Sequence, residues 1–147
     1  MKICAKIIGV LSVLVLLLFI CYKIAQDYGV EWATPAEENI VLREINTATP
    51  KRIVEIYFWA TNHHSKRVLK ALGLDIEGDE IRKLELISIK GLKSKTPDQK
   101  VFIVRFQAFI RFDKVSGFKN GNIVEWTFTV NRSKKDDRWQ IGNYGWG

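Results

Sequence analysis

From Lys100 to Phe112 every even position is apolar (Phe102, Val104, Phe106, Ala108, Ile110 and Phe112), while the odd positions include Arg105, Gln107 and Arg111. A period of two predicts a strand with one buried face. Ile123 to Arg132 repeats the device, with Val124, Trp126, Phe128 and Val130 facing in and Glu125, Thr127, Thr129 and Asn131 facing out. Asn120-Gly121 marks the turn between the two strands, and the charged stretch Ser133 to Asp137 is a turn before a last strand, Arg138 to Tyr144. An earlier strand runs from Leu84 to Ile89. Its apolar residues change phase between Leu86 and Ile87, which predicts a bulge there.

Upstream of Gly78 the period lengthens to that of a helix. Thr34-Pro35-Ala36-Glu37 supplies an N-cap, a proline at the first helical position and a glutamate at the third, predicting a helix through Ile45. Thr49-Pro50 opens a second, with Ile53, Val54, Tyr57, Phe58 and Thr61 on one stripe. Asn62 to Ser65 interrupts the pattern; Val68, Leu69 and Leu72 resume it before Gly73, a residue favoured just past a helix end. Helices first and hairpin-linked strands second predict an α+β domain, an antiparallel meander whose apolar face the helices cover.

One stretch belongs to neither pattern. Ile7 to Tyr22 holds sixteen residues without a charge, bounded by Lys6 and Lys23. Extension through Ile24 and Ala25, with both lysines reaching toward the headgroups, brings this run to the ~20 residues a spanning helix needs. The expected organisation is a cytoplasmic tail at 1–6, a transmembrane helix acting as a signal anchor at 7–25, a juxtamembrane linker at 26–34 and a domain at 35–147. Cleavage fits less well, since cutting after Ala25 puts Lys23 three residues before the cut and cutting after Ala33 puts Glu31 there. Lipid attachment at Cys21 is a third reading, against which Ile20 stands in place of a small residue. Lys2 and Lys6 lie on the short side of the run, and Asp27, Glu31, Glu37 and Glu38 on the long side, so the domain is expected outside the cytoplasm at the cell membrane.

Charge and cysteine counts follow from that division. The formal net charge is +7. Without Lys2, Lys6 and Lys23 the external part carries 20 basic and 16 acidic residues. That is too mild a balance for a nucleic-acid stripe, and Lys90, Lys93, Lys95 and Lys100 flank a turn at Thr96-Pro97-Asp98. Both cysteines, Cys4 and Cys21, lie in or beside the apolar run, so the domain has none to pair and relies on its core.

Thr49 to Trp59, Leu84 to Ile89, Trp126 to Val130 and Trp139 to Gly145 together resemble a bacterial, mostly Gram-positive, family of small anchored or lipid-modified domains of unknown function. These domains have the nuclear transport factor 2-like, or cystatin-like, cone, in which helices pack on a curved antiparallel sheet. The resemblance covers about residues 49 to 146. It implies a tethered, extracytoplasmic cone domain, and its motifs form the core rather than an active site.

The residues themselves offer little chemistry. A general base inside such a cone needs an inward carboxylate or histidine, yet the inward phases are apolar and Glu125 falls outward. His63-His64 is the only histidine pair, and helical neighbours point about 100° apart, so no metal or other cofactor is expected. His63 reads as a polar helix junction or as a cavity-lining hydrogen-bonding group. Ser65, Ser88, Ser94, Ser116 and Ser133 lie in no nucleophile motif. Tyr57, Trp59, Trp126, Trp139, Tyr144 and Trp146 either fill the core or line a ligand-binding mouth, for which Trp59, His63, Trp126 and Tyr144 are the candidates. No enzyme is expected. The expected function is a noncatalytic binding or assembly module, the alternative a small-molecule-binding or enzymatic cone. Val101, Ile103 and Phe109 among the outward polar residues mark a candidate face for an envelope partner or a second copy, centred on Ile103 and Phe109.

Overall fold

The computed structural model describes residues 12–22, 24, 30–75, 81–110 and 120–145. The expected tail at 1–6, residues 7–11, 23 and 25 of the expected transmembrane helix, residues 26–29 of the linker, and Arg111, Phe112 and Trp146 lie outside these residues. Helical residues 12–22 (α1) belong to one compact unit, 1–30, and everything from Glu31 onward forms a second. Among the described residues no helix is long and apolar enough to cross a membrane. The side chains of α1 are nonetheless uncovered, Val13 to Ile20 and Tyr22 being 43–63% exposed.

The second unit is α+β. Its helices are α2 (Pro35–Ile45), α3 (Pro50–Asn62) and α4 (Lys66–Ala71), followed by strands β1 (Ile81–Leu92), β2 (Gln99–Ile110), β3 (Ile123–Arg132) and β4 (Trp139–Gly145). The strands form one antiparallel sheet in the order β1-β2-β3-β4, the expected meander.

Helix α2 starts at the expected capping box. The Thr34 amide donates to Glu37 Oε2 at 2.8 Å, and the Glu37 amide donates back to Thr34 Oγ1 at 3.3 Å. Two N-terminal amides that the helix leaves without partners are thereby satisfied. The interruption between α3 and α4 is a Schellman motif: the Ser65 amide donates to Ala60 O and the His64 amide to Thr61 O. His64 takes the left-handed position, φ +51°, that glycine usually fills. Gly73, φ +88°, ends α4 the same way, with Leu74 donating to Leu69 O and Gly73 to Lys70 O.

The strand phases match the sequence pattern. Val104, Phe106, Ala108, Val124, Trp126, Phe128 and Val130 are buried on the inner face, where α3 packs against β1, β3 and β4. Strand β1 exceeds its expected six residues at both ends. The phase change is a bulge: Leu86 pairs with Phe106 and Ser88 with Arg105, leaving Ile87 unopposed. A second irregularity on β4 lets Asn143 oppose Thr129 while Ile141 opposes Val130.

The seam between helix and sheet is fixed by Asn62, the last residue of α3. Its Nδ2 donates to Leu84 O at 2.9 Å, and its Oδ1 accepts from the Leu84 amide at 2.6 Å. A side-chain amide here acts as one more residue of strand, pairing with the edge of β1. On the other edge the Ile141 amide donates to the carbonyl of Leu72, the C-cap of α4, at 2.9 Å, so residues at the helix ends hold both outer strands.

Candidate functional site

The interior is a lattice of rings. Phe58 on α3 meets Phe106 edge-on at 5.3 Å and Phe128 at 6.0 Å between centroids. Tyr57 meets Phe128 at 5.2 Å and Tyr144 at 5.4 Å, and Trp126 lies 5.3 Å from Phe106 and 5.4 Å from Tyr144. Tilted and edge-to-face contacts of this kind add to the stabilisation from area burial. The register explains the assembly, because Phe102–Phe128–Tyr144 and Val104–Trp126 are cross-strand rows on the inner face.

The four candidate ligand residues separate into two pairs. Trp126 and Tyr144 sit together in the sheet lattice. Trp59 lies two residues beyond Tyr57, about 160° around the helix from it, and its ring stacks on His63 at 4.6 Å with an interplanar angle of 20°.

His63 is the C-cap of α3, and its Nδ1–H donates to Trp59 O at 2.8 Å. Because a carbonyl can only accept, this nitrogen carries a proton. Of the two sequence readings of His63, the polar helix junction is the one these contacts match. The chain before α2 docks on the same corner: the Ala33 amide donates to His63 O at 3.1 Å, Glu31 Oε2 lies 3.6 Å from His63 Nε2, and Trp32 lies 4.9 Å from the His64 ring. In the sequence Trp32 falls within the juxtamembrane linker expected at 26–34. Its position there gave no signal of this docking, which joins residues thirty apart in sequence. Among the described residues no group of three or more metal-ligating side chains comes together.

Tyr57 is an ionisable group in the centre of the lattice, 2% exposed. Burial pushes its phenol well above the ordinary tyrosine value, and the neighbouring Tyr144 pushes it the same way; burial raises Tyr144 as well. A raised acid is kept neutral by the fold, so its contribution to stability is intact below the unfolded value of about 10 and is lost as pH rises above it. Urea unfolding at pH 8 and pH 11 should show a smaller alkaline loss for Tyr57→Phe than for the unsubstituted chain. Equal losses would mean that Tyr57 ionises without unfolding.

Comparison with protein-family models, curated proteins and solved structures finds no match for this chain. The reading of the site therefore rests on its own geometry.

Proposed function

We propose that this protein is a noncatalytic binding or assembly module, held by its N-terminal apolar helix at the outer face of a bacterial membrane, with a domain of the nuclear transport factor 2-like cone class. The observation that carries the reading is the ring-packed, apolar inner face of the sheet. Tyr57, Phe58, Phe106 and Phe128 pack there between α3 and the sheet, all at most 3% exposed. Helices on one face of a four-strand antiparallel meander agree with the cone class. The uncovered apolar side chains of α1 support the anchor, since a helix apolar all round needs lipid or protein around it.

With rings packed through the inner face, the reading places the interaction on a surface. On the outer sheet face Ile103 lies between Lys90 and Thr127, Val101 between Leu92 and Thr129, and Phe109 beside Lys83. Arg105 and Glu125 face each other across the strands at 3.9 Å. An apolar centre with charges around it suits a protein partner in the envelope. Cross-linking and affinity capture from native membranes should recover a defined partner with the unsubstituted chain and lose it when Ile103→Thr and Phe109→Lys are combined. Recovery of the same partners by both would move the interface elsewhere.

A further inference from the structure

Among the described residues strand β1 is an edge of the sheet, and its backbone is only partly covered by them. Ala108 on β2 directs its carbonyl and amide toward the β3 side, accepting from Gly121 and donating to Asn122. In an antiparallel ladder such groups alternate, so the even residues of β2 all face β3. Their partners on β1, namely Leu84, Leu86, Ile89 and Gly91, must therefore direct their amides and carbonyls to the free edge. Asn62 takes up those of Leu84. No described contact outside the sheet takes up those of Leu86, Ile89 or Gly91. Around them stand uncovered apolar side chains, with Leu86 38% and Ile87 50% exposed although Leu86 belongs to the inner face.

We propose that this edge pairs with the same edge of a second copy, antiparallel about a two-fold axis, with Leu86 opposite Ile89 of the second copy. Three independent features select this register. Residues directly opposite in an antiparallel ladder share a face, and the bulge at Ile87 changes the phase of β1. A two-fold register that pairs even with even positions therefore sets inner residues against outer ones across the bulge. The register Leu86 to Ile89 instead sets inner against inner, and Glu85 against Lys90, both outer. It also unites the free backbone groups, giving four hydrogen bonds across the axis. Finally, it places the Glu85 carboxylate opposite the Lys90 ammonium twice, once on each side. Within one copy Glu85 pairs with Lys83 at 2.7 Å; in the dimer it would lie between two lysines.

Asn62 also limits the ladder. Beyond Ile89 the next free residue, Gly91, would meet Leu84 of the second copy, whose groups are already taken, so pairing stops there. A glycine at that position leaves room for the Asn62 side chain. The pairing requires neither membrane anchoring nor docking at Ile103 and Phe109.

The test is charge reversal with rescue in the full chain, solubilised in detergent and followed by sedimentation over a range of concentrations. Glu85→Lys and Lys90→Glu each turn two attractive pairs into repulsive ones and should weaken the dimer roughly tenfold or more. The double variant E85K/K90E should restore it. Circular dichroism checks that each variant is folded. Carbodiimide coupling in a mixture of isotopically heavy and light chains should yield a heavy–light Glu85–Lys90 linkage. A monomer at all concentrations, a dimer indifferent to both reversals, or a double variant as weak as the singles would overturn the pairing. So would a dimer lost only with Ile103 and Phe109, or an edge occupied by a foreign strand.

Discussion

Phe106→Asp should abolish folding of the domain. Phe106 is fully buried at the centre of β2, in ring contact with Phe58 and Trp126. Removing a buried phenylalanine side chain costs about 3–5 kcal/mol, and an unpaired carboxylate in the same place adds several more. Their sum reaches the whole stability of a typical domain, roughly 5–15 kcal/mol. The neighbouring Gln107→Asp should behave differently. Gln107 faces outward, and its Nε2 donates to Gly121 O at 2.7 Å, so about 1 kcal/mol is at stake through the turn that follows β2. Circular dichroism and chemical denaturation would separate the two. Equal damage would mean that the inner and outer phases of β2 are exchanged.

The second large effect is expected at Asn62. Leu84 is 1% exposed, so Asn62→Ala leaves a covered amide and a covered carbonyl without partners, at about 1–3 kcal/mol each. Asn62→Asp is more selective: it keeps the acceptor for the Leu84 amide and sets a carboxylate against the Leu84 carbonyl. Alanine should lower the denaturation midpoint strongly and speed hydrogen exchange at Leu84. Aspartate should lower the midpoint while slowing exchange at that amide relative to alanine. Unchanged exchange in the alanine variant would show that the helix does not hold this edge.

Much of the fold was legible because its strongest signals are local. The alternation in Lys100 to Ile110 and Ile123 to Val130, the Thr34–Glu37 box and Gly73 each act within a few residues. The phase change at Leu86 and Ile87 even located the bulge. Asn62 was not legible as a clamp, since a polar residue at a helix end has many possible partners and its actual one lies 22 residues on. His64 was hidden for another reason: a left-handed C-terminal position calls for glycine, and a histidine there gives no warning. The ring contacts of Trp59 with His63 and of Trp126 with Tyr144 were not legible, because residue type shows a ring and not the direction it takes. Trp59 and Tyr57 are two residues apart yet belong to opposite sides of α3, and only the position of the helix over the sheet decides which one enters the lattice.

Protease accessibility tests the proposed membrane-held, outward-facing placement of the domain. The full chain carrying a C-terminal epitope after Gly147 would be produced in bacterial cells, which are then converted to spheroplasts and treated with external protease, with a cytoplasmic protein followed as an integrity control. The account predicts that the chain stays with the membrane after alkaline extraction and that the epitope is lost while the cytoplasmic control survives. An epitope protected until the cells are lysed, or a chain released by alkaline extraction, would contradict it.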